Sequence, residues 1–518
     1  MATIVALVAV ILATTAFGAW ATTYYSAANQ DATALTSWWT GTNGTGTHPG
    51  SFTTPGDVFV IQNGDSMTTS AAWPASGSLG GTGGKLEIQG GGVLTATFAV
   101  TLATSGTFKV DSGGAYVHNN TAGFAGSIFR GATSLDDSST VTLNNSSQVG
   151  PSGVTFGNLI VNFTSDPGGS VNCQGGLTTI KGDLTILSTS VREFRLVANT
   201  PASVTCNIAG SLLVKGGTFS VSSGTATVAL DIGGDFTQTG GTFQSVGVAT
   251  VTFTGGTSSD VTFSSAGTIT STYINWQVAS GKTLALATNF TVQSTSTMTV
   301  GGTLANGDTC TISGTLRLNA GGVLSGTAPT YGNSSTLVYA GGSAGSVEWG
   351  TGSSVGVGVP KNVTIQAPIT LPGNRTVPGT LSFVSPGGTI TTGGYTLTAS
   401  TVAGAGATTG WINGNLQVAV PAGVSTRTFD VGDASGYSPA VVVFGSSTKA
   451  GTLAVGAAAA THPALSSSSI DATRYVKRYW TFTNGGVTGT YDATFSFLPG
   501  DIQGSGDYSK FIVGKYGG

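Results

Sequence analysis

Along most of this chain, apolar and polar residues alternate in short runs, and glycine interrupts the runs at regular intervals. In Leu86-Glu87-Ile88-Gln89-Gly90-Gly91-Gly92-Val93-Leu94, Phe108-Lys109-Val110-Asp111-Ser112-Gly113-Gly114-Ala115-Tyr116 and Leu316-Arg317-Leu318-Asn319-Ala320-Gly321-Gly322-Val323-Leu324, an alternating run meets a glycine pair and then resumes. A two-residue period predicts strands with one buried face, and the glycine pair predicts a corner between two of them. A second phrase, apolar-x-Gly-Asp/Ser-apolar, recurs at Ile180-Lys181-Gly182-Asp183-Leu184, Ile208-Ala209-Gly210-Ser211-Leu212 and Ile232-Gly233-Gly234-Asp235-Phe236. The last two copies are each followed by Gly-Gly-Thr-Phe, at 216–219 and 240–243, so the step from Ile208 to Ile232 is a period of 24 residues. A period of this size marks a solenoid.

The expected fold is all-β: a parallel β-helix or β-solenoid, taken as right-handed, followed by a C-terminal β-sandwich module. Residues 22–83, rich in aromatics, Asn and Gly, are expected to cap the open end, where a bare core and unpaired strand edges need cover. Residues 84–404 supply about fourteen coils at about 22 to 24 residues each. No stretch there has the i, i+3, i+4, i+7 apolar spacing of an amphipathic helix. From 405 to 518 the strands lengthen, and Arg474, Lys477 and Arg478 bring local charge, which suggests the sandwich.

Composition narrows the function classes. Glycine accounts for 82 of 518 residues without the every-third spacing of collagen, and 39 % hydrophobic content argues against disorder. Charged residues are 8 % and the net charge is −3, which leaves no basic footprint for nucleic acid or for an anionic membrane surface. Residues 1–21 are uncharged and end in Ala19-Trp20-Ala21, the form of a secretory signal cleaved after Ala21. The missing positive charge near Met1 departs from that pattern and keeps an upstream start or an uncleaved anchor open. Of the three cysteines, Cys173, Cys206 and Cys310, at least one must be unpaired; they are read as small buried hydrophobes, with a Cys173–Cys206 bridge as the alternative.

Several phrases resemble the long β-strand-repeat surface proteins exported by bacteria through the type IX system. They are Phe253-Thr254-Gly255-Gly256, Ile274-Asn275-Trp276, Gly281-Lys282-Thr283-Leu284 and Phe156-Gly157-Asn158-Leu159-Ile160-Val161-Asn162. The ordered set Leu337-Val338-Tyr339, Glu348-Trp349, Pro360 to Ile365 and Arg375 to Leu381 is similar to a recurrent unit of that family, as are Phe429-Asp430-Val431-Gly432, Arg478-Tyr479-Trp480 and Leu498-Pro499-Gly500-Asp501. The resemblance implies an extracellular structural or adhesive protein, transfers no catalytic residue, and implies further chain beyond Gly518, so that the module is C-terminally truncated.

Catalytic groupings are sparse. Glycoside cleavage takes two carboxylates about 5 to 9.5 Å apart. Asp136 and Asp137 are neighbours that a strand would point to opposite faces, and Asp231 and Asp235, taken as one strand, would lie about 13 Å apart. Asp183 and Asp235 occupy one slot of the repeat and read as turn residues bonding to the next backbone amides. Lys181 and Arg192-Glu193-Phe194-Arg195 read as surface pairs, and His48, His118 and His462 are scattered. Asp501 and Asp507 bracket a Gly-rich loop with oxygen ligands suited to Ca²⁺, weighed against a plain hairpin loop; no other cofactor is implied. Trp38, Trp39 and Trp73 are the candidates for stacking on a glycan.

Two functional readings follow. The first is a secreted, cell-surface structural or adhesive β-solenoid without catalytic activity. The alternative is a polysaccharide-binding or polysaccharide-cleaving β-helix. Expected partners are extracellular polysaccharide, cell-surface components or further copies of the chain, with no nucleic acid and, after signal cleavage, no membrane.

Overall fold

The computed structural model describes residues 21–122, 124, 128–256, 258–270, 273–385, 387–445, 449–505 and 507–517. The signal segment expected at 1–21 lies outside these residues except for Ala21. The protein is all-β and forms a parallel β-solenoid of about 16 turns. Its strands are joined by turns, with short 3₁₀ segments such as Leu35–Ser37 and no α-helix among the described residues. The chain divides into two compact units, Met1–Val171 and Asn172–Gly518.

In the first unit, Thr23–Ser26, Val58–Ile61, Lys85–Ile88, Thr107–Val110 and Ala132–Leu135 stack in parallel as one face. Ser66–Thr68, Val93–Ala96, Ala115–Asn119, Thr140–Asn145 and Asn158–Asn162 form another. Parallel stacking therefore begins inside the stretch expected to be a cap. Trp38–Trp39 pairs antiparallel with Thr23–Ser26 and covers the outer edge of the first rung.

The corner glycines follow from geometry. Gly113 has φ +75°, as do Gly91 and Gly321 within a few degrees, a region that costs other L-residues about 1 to 2 kcal/mol. The next residue, Gly114, lies so close to the preceding rung that a Cβ would meet the carbonyl oxygens of Gln89 and Ile88. One glycine of the pair turns the chain and the other lets the rungs approach.

In the second unit, the register repeats the sequence period: Ile208 pairs with Ile232, Leu212 with Phe236, and Thr218 with Thr242. The longest face holds an unbroken inward row, Cys206, Leu230, Val251, Trp276, Met298, Leu316, Leu337, Val363 and Leu381, each against the next. All nine are buried. Burying such a side chain contributes about 1.5 to 3 kcal/mol, but only when a neighbouring rung closes the layer, which is why rungs stack rather than stand alone. The three cysteines are free and buried; burial pushes the Cys310 thiol up to about 12, and burial with Asp231 nearby does the same for Cys206. They behave as core residues.

Parallel pairing persists through Ile390–Ala403 onto Ile412–Val420. The pattern then turns antiparallel: Ile412–Val420 with Gly451–Ala458 and Tyr479–Gly485, and separately Ser425–Phe429 with Ala440–Phe444 and Tyr491–Phe495. Trp480 and Phe495 bring these two sheets together with ring centroids 4.7 Å apart, a sandwich arrangement.

Candidate functional site

The acidic residues of the repeat are used at the corners. An Asp183 carboxylate oxygen accepts the Ser211 N–H at 2.7 Å, the Ser211 hydroxyl accepts the Asp235 N–H at 3.1 Å, and Asp235 accepts the Thr262 N–H at 2.7 Å. Each side chain accepts a backbone N–H of the following rung, not of its own turn as the sequence suggested; Ser211 and Asp235 lie at corners, and Thr262 lies within the strand Asp260–Ser265. Asn275 does the same for Thr297, Asn362 for Thr380 and Asn374 for Thr396. Asp231 and Asp235 do not share an extended strand, because Thr227–Ile232 stops before the Gly233-Gly234 corner, so the one-strand spacing of about 13 Å does not apply to them. Asp136 accepts the Ser138 N–H in a local turn.

A direct check is available at the half-buried Asp183. Asp183→Ala should lower stability by about 1 to 2 kcal/mol, while Asp183→Asn, which keeps an acceptor oxygen, should lose only a few tenths. Equal urea midpoints for the two variants would show that the accepted N–H is not what the residue contributes.

Asp501 and Asp507 have separate partners. Asp501 is buried, and its two oxygens take the Arg478 Nε at 2.6 Å and Nη2 at 3.3 Å, along with the Leu498 N–H at 2.8 Å. Its charge is already matched by a guanidinium, which disfavours a calcium ligand. Asp507 is exposed; hydrogen bonds from the Ser509 side chain and backbone hold its carboxyl below the usual range, and Lys510 lies 3.6 Å away. Among the described residues no three His, Cys, Asp or Glu side chains gather as metal ligands.

The residues that carry the family resemblance meet inside the solenoid. The Tyr339 hydroxyl donates to the Glu348 carboxylate at 3.0 Å, Tyr331 donates to the Glu348 carbonyl at 2.7 Å, and Arg375 donates to the carbonyls of Asn374 and Gly345 at 2.8 and 3.2 Å. The Trp349 indole donates to the Thr376 carbonyl at 3.1 Å. Tyr339, Glu348, Trp349 and Arg375 are all buried, so this motif holds a rung together and presents nothing outward.

The three tryptophans separate in the same way. Trp38 and Trp73 are fully buried, stacked 5.3 Å apart and packed on Phe59. This corrects the expectation that they stack on a glycan, since neither has a face free. Trp39, the next residue along the strand, points the other way and is half-buried, with its ring 4.0 Å from His48. It lines an open groove of about 440 Å³ with Ala27, Ala28, Gln30, Asn43, Gly44, Gln62, Asn63 and Asp65.

Local conformation builds this groove. Ala28, Asn43 and Gly44 have φ of +63°, +62° and +69°, turning the chain sharply on two sides. The loop carrying Asn43 is closed by Thr40 N–H to Thr47 O and Gly41 N–H to Thr45 O, both 2.9 Å. Asp65 ties the strand exit down by accepting the Ser26 hydroxyl at 2.5 Å and the Ala28 N–H at 3.0 Å, and the Gln62 side chain donates to the Ser26 carbonyl. The Trp39 indole N–H is buried and has no hydrogen-bond partner among the described residues. The sequence reading singled out Trp39 and passed over Gln62-Asn63-Gly64-Asp65, whose signal is a polar turn cluster after an apolar strand.

No family model, curated protein or solved structure matches this chain. Its class is set by the fold alone: an all-β, parallel β-solenoid protein. No helix among the described residues is long and apolar enough to cross a membrane.

Proposed function

We propose that this protein is a structural or adhesive β-solenoid of the cell exterior, of the exported bacterial kind that its repeat phrases resemble, and that it works without catalysis. The observation carrying this reading is the chain of caps Asp183, Ser211 and Asp235. The carboxylates that a cleaving β-helix would need recur because every rung must be joined to the next. Solenoids expose long repetitive surfaces suited to spacing and contact, and those here are mostly Thr, Ser, Asn and Gly.

The test is incubation of the full chain with pectin, alginate and glucan, followed by assay of reducing ends and unsaturated products. No product is expected. Product formed by the wild type and lost in Asp231→Asn or Asp235→Asn would overturn the reading.

A further inference from the structure

The groove beside Trp39 combines features that the stacked rungs do not. Rung surfaces repeat, whereas here a loop from 40–47, the exit of the first strand and the Gln62–Asp65 corner converge on one half-buried indole. Its volume, about 440 Å³, falls in the range of small-ligand sites, about 300 to 1,000 Å³.

The lining is selective in its chemistry. Gln30, Asn43, Gln62 and Asn63 contribute amides, each carrying both donors and an acceptor, and Asp65 contributes a carboxylate that accepts only. Lys and Arg are absent from the lining residues. A ligand bearing carboxylates or phosphates would meet Asp65 with no cation to offset its desolvation, so polyanions are disfavoured. Hydroxyl groups, which donate and accept, match this set. The Trp39 indole adds a flat apolar surface, suited to the apolar face of a ring whose rim is polar, while its own N–H is buried.

We infer that the groove formed by Trp39, Gln30, Asn43, Gln62, Asn63 and Asp65 binds an uncharged, polyhydroxylated ring, a sugar unit of a neutral glycan. The inference names the ligand class for the adhesive reading above and rests on it only for the setting in which glycan is met.

The experiment is calorimetric titration of the full chain with neutral hexasaccharides of glucose and of mannose, and with oligogalacturonate as the anionic arm. Wild type should bind at least one neutral oligosaccharide and bind oligogalacturonate at least about tenfold more weakly. Trp39→Ala should weaken neutral binding about tenfold or more, the size typical of an aromatic anchor. Asn63→Ala, at an exposed position, should weaken it without altering the melting temperature, which separates ligand contact from cap folding. Tyr395→Ala, at an exposed tyrosine remote in sequence, should leave binding intact. Asp65→Asn should narrow the gap between neutral and anionic ligands. Failure to bind either neutral hexasaccharide, equal affinity for oligogalacturonate, or unchanged binding in both Trp39→Ala and Asn63→Ala would overturn the inference. Product release without groove dependence would instead overturn the non-catalytic reading and leave this one standing or falling on the titrations.

Discussion

Replacing Arg478 with methionine should destabilise the C-terminal module by about 3 to 5 kcal/mol, the cost of leaving buried carboxylates without their counter-ion. The Arg478 side chain has no exposed surface and four of its five N–H donors are used: Nη1 to Asp433 at 2.8 Å, Nε and Nη2 to Asp501 at 2.6 and 3.3 Å, and Nη2 also to the Ser435 hydroxyl at 2.7 Å. Burial raises the Asp433 carboxyl, but hydrogen bonds from Ser435 and the charge of Arg478 outweigh it and hold that group below the usual range. These contacts tie the Val431–Asp433 strand, the start of Tyr479–Gly485 and the Leu498–Asp501 turn into one knot. Hydrogen exchange over Tyr479–Gly485 measures it: protection should fall in Arg478→Met and recover substantially when Asp433→Asn and Asp501→Asn are added. Unchanged exchange in the single variant would mean that the knot is incidental to stability.

The second large effect is an acid sensitivity centred on His118. Its ring is buried, with Nδ1 3.1 Å from the Tyr116 hydroxyl and Nε2 3.3 Å from the Ala122 carbonyl, and burial lowers its pKa from 6.5 to about 4. Between those values the unfolded chain binds a proton that the folded protein refuses, so stability rises with pH across the interval and is lost on acidification. The loss between about pH 7 and pH 4.5 amounts to roughly 2 to 3 kcal/mol. Below about pH 4 the folded form protonates as well, and this contribution levels off. His118→Leu gives up the Tyr116 contact at every pH but should remove most of this dependence. If urea midpoints of wild type and His118→Leu shifted in parallel on acidification, His118 would not be the sensor.

Both effects bear on what the sequence made legible. The rung period and the strand-corner-strand phrases were readable because they are local and repeated. Alternation alone carried two facts that went unread. Trp38 and Trp39 are consecutive in a strand, so only one of them could face out. Tyr116 and His118 are two apart, so the histidine had to share the tyrosine's inward face. The partners of Arg478, 45 residues back and 23 ahead, leave no local trace. Nor do the rung-to-rung side-chain bonds, whose acceptor and donor lie 18 to 28 residues apart. Arg478 did not enter the reading of Asp501 as a candidate Ca²⁺ ligand for the same reason: this counter-ion is near in space and distant in sequence.

The corner caps have a consequence for how such a chain can change length. Because Ser211 holds the rung that begins beyond Ile232 by the same kind of bond with which Asp183 holds its own, the connection is generic. One copy can follow another without a dedicated joint. At this step of the stack, gain or loss of 24 residues, the spacing from Ile208 to Ile232, keeps the inward row and the corner bond in register. A change by an odd number within a strand would turn the core face toward water. Rung number is therefore a quantity that duplication can adjust in whole rungs, while the contacts around Trp39 and Arg478, which lie outside the repeated phrase, stay as they are.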